Sequence, residues 1–149
     1  MPAKRLKKRS VANSVSPKPP EELTFFLDRQ LGRYKVASVL RDAGLNVEIH
    51  DDHFPQNAKD PDWLTAAGKN NWIVVTRDER IRYRVAEKQA MRRAKARAFV
   101  LAAQGNLRAE MLAEIFLKAL PKIRRTMKQQ RPPFIAKISR DGNVTVLDF

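Results

Sequence analysis

The chain has 149 residues, 43% of them hydrophobic, and carries 30 Lys and Arg against 16 Asp and Glu for a formal net charge of +14. That is enough apolar material for the core of one domain. The absence of cysteine excludes a disulfide framework, a thiolate metal site and a cysteine nucleophile, and fits a reducing, cytoplasmic setting. No run of roughly 18 apolar residues is present, so no membrane span is expected, and the basic N-terminus lacks the apolar stretch of a secretory signal. So basic a chain attracts polyanions over long range. Nucleic acid is therefore the expected partner, ahead of an acidic membrane surface.

In chain order, residues 1–22 combine a basic cluster (Lys4, Arg5, Lys7, Lys8, Arg9) with Pro17, Pro19 and Pro20, a composition that predicts a disordered tail. Residues 23–149 read as a single domain. Leu23 to Leu27 is a short apolar run that suits a strand buried on both faces, and it stops at Asp28. Leu31, Tyr34, Val36, Val39, Leu40 and Ala43 then recur at helical spacing, with Gly44 as the helix stop. Val47 and Ile49 mark a second strand, and His50 to Lys59 reads as a polar loop. Asp60-Pro61 looks like the cap and first position of a helix running to about Asn70. Trp72 to Thr76 is the third strand. Arg80 to about Lys95 is predicted to be a basic helix, Ala98 to Leu101 a fourth strand, and Leu107 to Gln130 a helix that Pro121 should kink or split. Phe134 to Ser139 and Val144 to Leu147 form a hairpin around Asp141-Gly142. This alternation predicts an α/β domain on a right-handed, mainly parallel sheet.

In such a sheet, ligands bind beyond the carboxyl ends of the strands. Asp28 ends the first strand and Asp78 closely follows the third, while Asp60 and Asp62 open the helix that returns from the second. Aspartates gathered at one rim repel each other, and a hard divalent cation relieves that cost. Mg²⁺ held by carboxylates is suited to cutting a phosphodiester. Singly, each aspartate also suits a helix cap or turn, and Asp62 suits a favourable charge at the helix dipole. His50 and His53 lack partners for a zinc site and read as loop histidines. Asp51, Asp52 and Glu48 read as ordinary loop and strand-end acids.

Phe25-Phe26-Leu27-Asp28 with Gln30-Leu31 resembles the opening Leu-Asp-x-x-Leu segment of PIN-like domains. Asp60-Pro61-Asp62-Trp63-Leu64 resembles their Asp-rich helix start, and Trp72 to Asp78 their strand ending in Thr-x-Asp. The order and spacing are those of the short branch that includes VapC-type toxins. The resemblance runs from about Leu23 to Leu101. It implies a PIN-like three-layer fold and an endoribonuclease dependent on Mg²⁺ or Mn²⁺, with catalytic Asp28, Asp60, Asp62 and Asp78. Asp28 and Asp78 take the metal-ligand positions and Asp60 or Asp62 the middle acid position, with Asp62 joining the metal ligands. It also implies a toxin restrained by a cognate antitoxin, and dimerisation. The family commonly shows a fourth acid near the third-strand exit, where only Glu79 is available.

Arg77, Arg80, Arg82, Arg84, Lys88, Arg92 and Arg93 follow or flank Asp78. They read as an RNA-binding track feeding the acids, or else as a solvated helix face. Tyr83 is the aromatic best placed to stack on a base. Arg124, Arg125, Lys128 and Arg131 form a second basic patch. Two other functions fit the same residues: a noncatalytic nucleic-acid-binding protein on a PIN-like fold, and an interaction subunit whose basic surface docks an acidic partner.

Overall fold

A computed structural model describes residues 23–31, 34–103 and 105–149. The expected tail at 1–22 lies outside the described residues. The strands are β1 (Thr24–Leu27), β2 (Asn46–Ile49), β3 (Ile73–Thr76), β4 (Arg97–Leu101), β5 (Phe134–Ile138) and β6 (Val144–Leu147). The helices are α1 (Lys35–Asp42), α2 (His50–His53), α3 (Asp60–Lys69), α4 (Val85–Ala94) and α5 (Ala109–Gln129), with a 3₁₀ turn at Arg29–Leu31. One six-stranded sheet has the order β2-β1-β3-β4-β5-β6. All its pairings are parallel except that of β5 with β6.

The continuous apolar runs place side chains on both faces, as a buried parallel strand requires. Phe25, Leu27, Ile73, Val75, Phe99 and Leu101 pack beneath α1 and α5, with Phe25 edge-on to Phe116 at 5.1 Å between centroids. Phe26, Val74, Ala98 and Val100 meet Trp63, Leu64, Ala67 and Met91 of α3 and α4 on the other face. The result is the expected three-layer α/β arrangement, closed by a C-terminal hairpin whose Gly142 takes the left-handed conformation at φ +84°. Gly44 does the same after α1, at φ +92°, because only glycine enters that region without steric cost.

Four local expectations are corrected. The segment from Arg80 to Arg84 is a turn rather than helix, and α4 begins only at Val85. Asp78 causes this: its Oδ1 accepts the Arg80 N–H at 3.0 Å, and the Tyr83 N–H reaches the Arg80 carbonyl at 3.0 Å, so the chain is committed to tight turns before it can helix. The polar loop after β2 opens with the short helix α2. Pro121 does not split α5, which is one continuous helix. Pro121 lies on the exposed face, while Phe116, Ala119 and Ile123 are buried on the other, and that burial offsets the roughly 3 kcal/mol cost of a helix-interior proline. Finally, the crossovers do not all share one hand. β4-α5-β5 steps along the sheet in the same direction as β3-α4-β4 but crosses the opposite face. With α3 and α4 covering the second face, the apolar stripe of α5 finds its burial beside α1.

Gly68 lets α3 and α4 pack together. A Cβ there would lie 2.5 Å from the Ala94 Cβ and 2.6 Å from the Ala94 carbonyl oxygen. Gly68→Ala is therefore predicted to destabilise the fold by about 1–3 kcal/mol, despite alanine's better helix propensity. Equilibrium urea unfolding measures this, and an unchanged or raised midpoint would contradict it.

Candidate active site

Because β1, β2, β3 and β4 run parallel, their carboxyl ends form one rim. The Asp28 N–H bonds the Val75 carbonyl of β3 at 2.9 Å, which ties the residue after β1 to the neighbouring strand. Thr76, buried at the end of β3, then links two acids through one hydroxyl. It donates to Asp28 Oδ2 at 2.7 Å and accepts from the Asp78 N–H at 3.0 Å. Asp28 and Asp78, fifty positions apart in sequence, are thereby brought to the same rim.

Asp60 and Asp62 separate here. Asp60 is not the helix cap, since Lys59 occupies that position and makes no side-chain cap bond. The Asp60 Oδ1 instead accepts Trp63 Nε1–H at 2.9 Å, and its Oδ2 lies 3.8 Å from Arg84 Nη1. Asp62 sits exposed on the first turn of α3, where it complements the helix dipole. Asp28, Asp60 and Asp78 thus face a common region that Asp62 does not join.

Sequence reasoning missed Glu87. It is 7% exposed, in the first turn of α4, and its Oε2 lies 3.5 Å from Arg84 Nη1. Its signals were the i,i+3 spacing from Arg84 and the apolar neighbours Ala90 and Met91. Glu79, the nearest candidate for a fourth acid, is exposed instead. It lines both an open cleft of about 370 Å³, with Gln30, Arg77, Leu101, Ala103 and Gly105, and a groove of about 170 Å³, with Arg80, Arg82, Tyr83, Val100, Lys137 and Leu147.

The basic residues divide by what they hold. Arg84 turns inward, its Nη1 2.5 Å from Asp78 Oδ2. That bond with Asp78 raises its already high pKa. Arg77 donates to the Ala103 and Gly105 carbonyls. Arg82 and Arg92 reach the Asp148 and Phe149 carbonyls at 3.1 and 2.8 Å. Arg80, Lys88 and Arg93 carry no side-chain hydrogen bond or ion pair among the described residues. Tyr83 is 63% exposed, with the Arg82 guanidinium 4.5 Å from its ring centroid. Trp72 stacks on Phe26, ring centroids 5.3 Å apart, and belongs to the core. His50 is buried among Phe26, Phe54 and Trp63, while His53 pairs with Glu48 at 2.6 Å and Asp51 with Arg29 at 2.8 Å.

Burial pushes the Asp28 carboxyl above its usual range. The Thr76 and Arg29 hydrogen bonds oppose this, and the charge of Asp60 adds to it. The donors are hard carboxylate oxygens in a chain without thiolates, and Asp28 is both desolvated and within electrostatic reach of Asp60. Such donors fit a small divalent cation in kind. Arg84 lies against Asp60 and Asp78, and among the described residues no three His, Asp or Glu close on a common point as a formed metal site.

A family model described as a PIN-like domain matches residues 23–103, and the chain belongs to that family. A curated protein of Mycobacterium tuberculosis (strain ATCC 25618 / H37Rv), named "Putative ribonuclease VapC45", is 29% identical over 126 residues, spanning 82% of this chain and 90% of the relative. No solved structure matches significantly. No helix among the described residues is long and apolar enough to cross a membrane.

A raised carboxyl pKa means the fold favours the protonated form. That contribution to stability is complete below the ordinary aspartate range near pH 4 and is lost as pH rises through the raised value. At neutral pH without divalent cation, Asp28→Asn is therefore predicted to melt higher than the wild type, with the gap closing as pH falls toward about 4. Calorimetric melting across that range tests this; an Asn variant less stable at neutral pH would overturn it.

Proposed function

We propose that this protein is a metal-dependent endoribonuclease, the toxin of a toxin-antitoxin pair, acting in the cytoplasm on RNA phosphodiester bonds. The observation that carries the reading is the meeting of Asp28, Asp60 and Asp78 at one strand-end rim in a chain of net charge +14. The likeness to a relative named as a ribonuclease supports RNA as the substrate, and its VapC name supports a cognate antitoxin partner; the proposal extends to a homodimer on the resemblance of the motifs to VapC-type toxins alone.

Asp28, Asp60 and Asp78 would hold Mg²⁺ or Mn²⁺, with Asp60 rather than Asp62 as the middle acid. When bound, such a cation polarises a phosphoryl oxygen and lowers the pKa of a coordinated water. Thr76 positions Asp28 relative to Asp78. Arg80, Lys88 and Arg93, whose side chains make no hydrogen bond or ion pair among the described residues, are suited to backbone phosphates, and Tyr83 beside the groove to stacking on a base. Arg77, Arg82 and Arg92 spend their charge on backbone carbonyls and contribute mainly to architecture. Glu79, on the wall between cleft and groove, faces the path of the strand rather than the cation.

A noncatalytic nucleic-acid-binding protein is the competing reading, favoured by the guanidinium among the acids. Incubation with mixed RNA and Mn²⁺ or Mg²⁺ separates the two. Chelator-sensitive cleavage is expected, falling about 10²-fold or more in Asp28→Asn, Asp60→Asn and Asp78→Asn but only a few-fold in Asp62→Asn. Tight RNA binding with no cleavage under any cation would establish the competitor, and loss of activity in Asp62→Asn with retention in Asp60→Asn would reverse the choice of middle acid.

A further inference from the structure

We propose that Arg84 is a built-in competitor of the divalent cation: its guanidinium pairs with Asp60 and Asp78, two of the three proposed ligands, and must release them for metal to be held. The inference rests on the metal reading above. A single nitrogen, Arg84 Nη1, lies 2.5 Å from Asp78 Oδ2, 3.5 Å from Glu87 Oε2 and 3.8 Å from Asp60 Oδ2. Carboxylates from three separate segments therefore lie within 3.8 Å of one positively charged atom. An ordinary ion pair needs one carboxylate; here the guanidinium offsets repulsion within a set that would otherwise be costly to assemble.

Position makes the side chain removable. Arg84 precedes α4 and makes no side-chain cap bond to it, so its rotation requires no helix movement. Its side chain is 35% exposed, against 13% for Asp78, 10% for Glu87 and 43% for Asp60, so it can swing to solvent on the open side where Asp60 lies. Metal binding then exchanges one cation for another and gives up the charge-assisted bond to Asp78, which lowers the apparent metal affinity.

The test is Mn²⁺ titration calorimetry on the full chain as wild type, Arg84→Gln, Arg84→Lys and Asp28→Asn. Arg84→Gln is expected to bind Mn²⁺ about tenfold or more tightly than wild type, the size of one charge-assisted hydrogen bond forgone. Its metal-free form should melt lower, and its Mn²⁺-induced rise in Tm should be larger. Arg84→Lys, which keeps a cation but loses the planar fork, should fall between. Addition of diamagnetic Mg²⁺ to ¹⁵N-labelled wild type should shift the Arg84 Nε–H resonance, assigned by its disappearance in Arg84→Gln, to a solvent-exchanging position. Equal or weaker Mn²⁺ affinity in Arg84→Gln, or an unmoved Arg84 resonance at saturation, overturns the proposal while leaving the metal reading intact, provided that Asp28→Asn abolishes wild-type binding. If no form binds Mn²⁺, the metal reading fails and this inference fails with it.

Discussion

The structure depends on holding like charges together. Asp28, Asp60, Asp78 and Glu87 converge on one end of the sheet, and three devices make this tolerable. The Thr76 hydroxyl bridges two of the segments, Trp63 Nε1–H takes one oxygen of Asp60, and Arg84 supplies the opposing charge. Buried carboxylates without such partners shift their pKa or destabilise the fold. At Asp28 burial pushes the carboxyl above its usual range despite the Thr76 hydroxyl.

Much of the architecture was legible because it rests on periodicity. The unbroken apolar runs at Phe25–Leu27 and Ile73–Thr76 could only be buried on both faces, and the Asp-Gly pair could hardly be anything but a hairpin turn. From these follow the parallel order and the common rim of Asp28 and Asp78. Failures came where a side chain overrode a propensity. The helix expected from Arg80 is pre-empted by the Asp78 carboxylate, and the break expected at Pro121 is offset by the burial of its neighbours. The hand of the α5 crossover was beyond local reasoning, since it reflects which sheet face was still uncovered.

The site was legible by segment but not by atom. Asp60 against Asp62 turns on a helical rotation of two residues, which spacing cannot decide when a proline makes the cap ambiguous. Glu87 was hidden by its basic surroundings in sequence, although in space it is buried and paired with Arg84. The cationic run likewise gave no indication that its members face different ways. One points into the acids, others clasp the carbonyls of Ala103, Gly105, Asp148 and Phe149, and the remainder face outward. Charge density alone cannot separate these uses, so the electrostatic footprint available to a polyanion is smaller than the composition suggests.

The family match ends at residue 103, whereas α5 and β5 come afterwards and supply Phe116, Ile123 and Phe134 to the layer beneath Phe25 and Phe99. The segment bearing every acid of the rim is thus synthesised first, with one greasy side of its sheet covered only by α1. Its completion waits on the last third of the polypeptide as it leaves the ribosome. Rim geometry is consequently a property of the finished chain, and truncation far from any carboxylate would disorganise it as surely as substitution within.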